Sequence, residues 1–125
     1  MKKGLFLILL FGTIIVKADA FDEVVMALKN ANAKDIAKQF NTNVELTVMN
    51  TEGVYSKSQA EIIIKGFLES NPPKQVLVHH RGASSQGAKY AIVYYECAQG
   101  KFRVYIFMKE NLGKMLIHEL RFEKE

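Results

Sequence analysis

The sequence predicts an α+β domain in which three short helices pack on one side of a curved, mostly antiparallel sheet. Three observations carry this expectation. Four runs dense in β-branched and aromatic residues, Gln75–Arg81, Lys89–Cys97, Lys101–Met108 and Lys114–Phe122, follow one another with glycine in every intervening turn. That order reads as an antiparallel meander. Upstream, apolar residues recur at helical spacing in three places, with one alternating segment, Asn43–Met49, between the second and the third. Asn71-Pro72-Pro73 then divides the helical part from the meander, because proline cannot continue a helix and restrains the residue before it.

Each element has its own local cause. Phe21, Val24, Val25 and Leu28 form one face of a first helix, Asp22 and Glu23 place negative charge in its first turn, and Asn30 is its stop. Asn32 reads as the cap of a second helix with Asp35 at the third position, and Ala33, Ile36, Ala37 and Phe40 give its apolar face. Helices this short do not persist alone in water, so both must dock on something. In Asn43–Met49, Val44, Leu46 and Val48 face one way while Glu45, Thr47 and Met49 face the other, as in a half-buried strand. Asn50–Gly53 is a turn, and Val54-Tyr55 a brief return strand. Ser58-Gln-Ala-Glu61 reads as a capping box opening a third helix, which carries Ala60, Ile63, Ile64 and Phe67 on one face and ends near Ser70. A sheet bent around three helices leaves a conical hollow between the layers, a natural place for a ligand.

The N-terminus reads as an address. Met1-Lys2-Lys3 is a charged segment, Leu5–Val16 an apolar one, and Ala18-Asp19-Ala20 supplies small residues for cleavage before Phe21. The apolar run falls short of the roughly 20 residues that cross a bilayer, so a cleaved export signal is expected rather than a retained anchor. The remaining chain, 21–125, is one domain by length, periplasmic or secreted, with no stable membrane insertion. Cleavage would remove three lysines and one aspartate, so the formal charge of +4 falls to +2. So small a positive balance on an exported chain does not point to nucleic acid. Cys97 is the single cysteine, which excludes an intramolecular disulfide and leaves core burial to hold the domain together; burial of Cys97 itself is the expectation.

Candidate chemistry is sparse. For acid–base work the weak candidates are His80, Glu96 and His118, with Glu119 beside them and Tyr94 or Tyr105 as a hydrogen-bond donor. His79 and His80 are adjacent in a strand and therefore point to opposite faces unless a bulge intervenes. The three histidines have no recurrent zinc spacing, and no metal or other cofactor is implied. Gly82-Ala-Ser-Ser-Gln-Gly87 leads into a strand rather than a helix, so it lacks the mechanism of a phosphate-cradling loop. Glu119 and Arg121, two apart on the last strand, read as a surface ion pair worth under ~1 kcal/mol. The better clue is compositional. Along Tyr90–Cys97 and Phe102–Met108 both faces carry large apolar groups, where a sheet with water on one side alternates more cleanly. Tyrosine on an outer face suits an interface. Tyr94, Tyr105, Phe107 and His118 are thus candidate pocket or sheet-face residues.

Several stretches carry a resemblance: Ser56-Lys-Ser-Gln-Ala-Glu61, Asn71-Pro-Pro-Lys74, His80 through the loop to Gly87, Tyr90-Ala-Ile92, Gly100-Lys-Phe-Arg103-Val-Tyr105 and Leu116-Ile-His-Glu-Leu-Arg-Phe122. In these the chain resembles the domain of unknown function 4783 family of small exported proteins from Bacteroidetes, within the nuclear-transport-factor-2-like superfamily. The resemblance implies a cone of curved sheet with three N-terminal helices, and an exported location. It implies no catalytic residue. Two readings of function result. The favoured one is a non-catalytic ligand- or protein-binding module, taking a small apolar ligand or peptide, or a second copy through the sheet face. The other is a small cone-pocket enzyme, of isomerase, dehydratase or hydrolase type, using a His or Glu base. An open or a filled cone separates them.

Overall fold

A computed structural model describes residues 19–125, together with the isolated Gly4 and Gly12. The rest of the expected export signal lies outside the described residues. Helix α1 (Ala20–Lys29) is capped by Asp19, whose carboxylate accepts from the Phe21 N–H while the Asp22 carboxylate accepts from the Asp19 N–H. The bond expected to be cut before Phe21 therefore joins the first two residues of α1. Arg81 binds both carboxylates, at 3.1 Å to Asp19 and 2.7 Å to Asp22.

Helix α2 (Ala33–Ala37) starts at the Asn32 cap as its sequence indicates, yet Phe40 does not belong to it. Phe40 opens strand β1 (Phe40–Val48) and pairs with Ile117, whose N–H donates to the Gln39 carbonyl at 2.7 Å. Capture of this segment by the last strand ends the helix after five residues. Strand β2 (Thr51–Ser56) is longer than the two-residue return its sequence suggests. Helix α3 (Lys57–Ser70) is capped by Ser56, with Gln59 reaching back, not by Ser58 and Glu61. β2 holds the chain extended as far as Ser56, so the turn falls there and Ser58 sits inside the first turn.

Strands β3 (Pro73–Ala83), β4 (Lys89–Cys97), β5 (Gly100–Asn111) and β6 (Lys114–Lys124) form the expected meander, with a short 3-10 turn at Ser85–Gly87. The sheet order is β2-β1-β6-β5-β4-β3, antiparallel throughout except where β1 lies parallel to β6. Two helices precede the sheet and α3 follows its first hairpin, the order that the sequence indicates, so that two of the three helices and not all three are N-terminal to the sheet.

The helices cover one face only. Phe67 of α3 stands at its centre, with ring centroids 4.7 Å from Phe122, 5.1 Å from Phe102 and 5.7 Å from Tyr95. Phe21, Leu28, Ile36, Phe40, Ile64 and Ile106 complete a buried cluster around it. The space between the layers, expected to be a conical hollow, is filled by these side chains. Tyr95 donates to the Asn71 carbonyl, tying the end of α3 to β4, and burial pushes its hydroxyl pKa well up. Cys97 is buried and unpaired, as expected.

Candidate functional site

The other face of the sheet carries no helix among the described residues, and it is where the unusual residues gather. On β4, Ala91, Val93, Tyr95 and Cys97 point into the core while Tyr90, Ile92 and Tyr94 stand half-buried on the open side. On β5 the buried set is Phe102, Val104, Ile106 and Met108, and the open set Arg103, Tyr105 and Phe107. Cross-strand register aligns them into rows. One runs Val54, Glu45, Glu119, Phe107, Tyr90; the next runs Glu52, Thr47, Arg121, Tyr105, Ile92, His80. Val54 is 67% exposed and Leu77 51%, large apolar groups left to water at the two sides of this face.

Two bulges bring all three histidines to it. β3 has an extra residue between Val78 and His80, so strict alternation fails there. The His79 ring lies 4.5 Å from that of Tyr94, and His80 Nε2 is 3.1 Å from the Tyr90 hydroxyl. His79 and His80 thus share a face, contrary to the expectation from their adjacency. Gly82 makes room for this arrangement: a β-carbon there would clash with the Tyr90 ring. In β6, Phe107 pairs with Glu119 and Met108 with Ile117, which leaves His118 as the extra residue.

His118 lines an open hollow of about 400 Å³ with Asn43, Glu45, Val54, Tyr105, Phe107 and Glu119. Its electrostatics are tense. A hydrogen bond to Glu119, and the charge of that group, hold the Glu45 carboxyl above its ordinary range. Glu119 is held by Arg121 at 3.0 Å, the ion pair expected from the last strand, and the Arg121 guanidinium lies 5.4 Å from the centre of the Tyr105 ring. Burial pushes the Tyr105 hydroxyl up and the His118 imidazole down, the latter helped by Lys109. Nε2 of His118 is buried without a hydrogen-bond partner.

The weak catalytic candidates do not converge. His80 lies on edge strand β3, His118 two strands beyond β4 on β6, and Glu96 near the far end of β4 opposite Lys101. Of the sheet-face candidates, Tyr105, Phe107 and His118 meet in the hollow, while Tyr94 sits apart under Lys101 Nζ, 3.9 Å from its ring centre. Sequence reasoning missed Asn43, Glu45 and Val54 as members of this site, since only the parallel pairing of β1 with β6 brings them there. Glu45 did sit on the polar side of its alternating segment, which was the available signal. Among the described residues no group of three or more His, Cys, Asp or Glu side chains is arranged to hold a metal ion.

Residues 21–123 match the family model described as Domain of unknown function (DUF4783). The chain belongs to the DUF4783 family. Solved DUF4783 proteins agree in structure. One from Bacteroides uniformis is 25% identical, with a TM-score of 0.80 over 86% of this chain and 98% of that one. One from Bacteroides fragilis is 25% identical, with a TM-score of 0.78 over 87% and 100%. A designed protein named for the nuclear-transport-factor-2 fold matches at a TM-score of 0.63 over 80% and 90%, at 10% identity, a likeness of fold alone. The fold of this chain is accordingly nuclear-transport-factor-2-like α+β. No curated protein matches the chain.

Proposed function

We propose that this DUF4783 protein is an exported, non-catalytic protein-binding module that works through the open face of its sheet, and that a second copy of the chain is the occupant. The observation that carries this reading is the contrast within β4 and β5, whose outward residues Tyr90, Ile92, Tyr94, Tyr105 and Phe107 are as bulky as their buried neighbours. Interfaces are enriched in such aromatic groups. The filled interior supports the same reading, because a small apolar ligand or a cone-pocket reaction needs space between the layers, and Phe67, Phe102 and Phe122 take it up. An acid–base mechanism also lacks support from the separation of His80, Glu96 and His118 over three strands.

Light scattering on purified protein tests this. The expected mass is twice that of one chain, falling to a single chain in Phe107→Glu with its far-ultraviolet dichroism unchanged. A single-chain mass for the parent protein at high micromolar concentration would remove the proposal.

A further inference from the structure

The open face is divided by charge. Its β2-β1-β6 half carries Glu52, Glu45, Glu119 and Glu123 against Arg121 and Lys114, with His118 among them. Its β5-β4-β3 half carries Lys101, Arg103 and Lys109 against one carboxylate, Glu96, with His79 and His80 on the outer strand. Tyr105 and Phe107 stand on β5, next to the dividing line.

Face-to-face stacking of two identical sheets with their strands aligned requires a twofold axis lying in the interface plane. An axis running across the strands sets each strand over its own copy, acidic half on acidic half. An axis running along the strands, between β5 and β6, sets β2 over the partner's β3, acidic half on basic half. Like charges brought together in an interface disfavour the wrong partner or register, so charge selects the second arrangement.

We infer that two copies of this chain pair open face to open face about an axis parallel to the strands between β5 and β6, each acidic half lying on the other's basic half. This rests on the reading of the open face as a protein-binding surface and adds its orientation. The same axis puts Tyr105 and Phe107 near the centre of the interface, over Arg121 and Glu119 of the other copy's β6, and leaves Glu45, Glu52, His79 and His80 toward its margins. It also brings Val54 of each copy over the other's outer strand.

A charge swap tests the orientation. Glu45 and Glu52 are exposed, and so are His79 and His80. The variant Glu45→Lys/Glu52→Lys and the variant His79→Glu/His80→Glu each place like charge against like charge in this arrangement. Each alone should dissociate at least about tenfold more readily than the parent, and an equimolar mixture should recover the dimer as a mixed pair. Light scattering and native mass spectrometry read both. Parent-like association of either variant alone, or a mixture that stays monomeric, overturns the orientation. Phe107→Glu separates the two levels. If it dissociates the dimer while the charge variants do not, the open-face reading stands and the orientation falls. If the parent is monomeric, or Phe107→Glu leaves the dimer intact, both fall.

Discussion

The two faces of this sheet are built from the same strands and answer to different rules. On the helix side Ile106, Phe122 and Tyr95 are sealed in a cluster around Phe67, and the Tyr95 hydroxyl donates to the Asn71 carbonyl. On the open side Tyr105, Phe107 and Tyr94 are equally large but half-exposed, next to an unpartnered His118 nitrogen and a Glu45 carboxyl held above its ordinary range by Glu119. The first face is a finished core. The second has the size of a core and the charge of a surface, the mixture that a docking face requires. Bulk in a strand therefore does not by itself report where the core lies; the partner of each group does.

The sharpest break in this comparison is Phe67→Ala, which empties the centre of the closed face and should cost about 3–5 kcal/mol in urea unfolding. Ile106→Ala and Phe107→Ala come next and differ by one position in β5. The first should cost about 2–5 kcal/mol in any state of association. The second should cost the isolated chain no more than about 1 kcal/mol yet abolish association, which separates folding from docking along a single strand. Ser56→Ala should cost about 1 kcal/mol by removing the α3 cap, whereas Ser58→Ala should be nearly silent, so their difference checks where the helix begins. The smallest effect is on pH. Burial lowers the His118 pKa in the folded chain below its unfolded value of about 6.5. The unfolded chain then binds more protons between the two values, so this group's contribution is complete above the unfolded value and is lost as pH falls through the folded one. His118→Gln should flatten that part of the stability profile, which lies below about pH 6.5. Asp22 follows the opposite direction of charge but the same sign: Arg81 lowers its pKa, and its contribution is lost only as pH falls below the unfolded carboxylate range.

What the sequence disclosed and what it hid divide along local and non-local causes. β4 was legible to the residue, because Lys89–Cys97 is dense in β-branched and aromatic residues and is bounded by turns. The bulk on both faces of β4 and β5 was legible too, and it led to Tyr94, Tyr105 and Phe107. The fate of Phe40 was not, since its helical spacing is overridden by pairing with Ile117, a residue far along the chain. The bulges that place His79 and His118 were equally hidden, because a bulge is fixed by the register of the facing strand and leaves no mark in its own sequence. Fold thus came from periodicity and turns, while the composition of the hollow depended on strand order.

The most direct test of the proposed pairing through the open face uses two adjacent tyrosines of β4. Tyr95 is buried in the core and Tyr94 stands on the open side. Acetylation of tyrosine by N-acetylimidazole, mapped by mass spectrometry across a dilution series, should modify Tyr94 and Tyr105 readily in dilute protein and spare them in concentrated protein, with Tyr95 spared throughout. Equal modification of Tyr94 and Tyr105 at every concentration would contradict a face that a second copy covers.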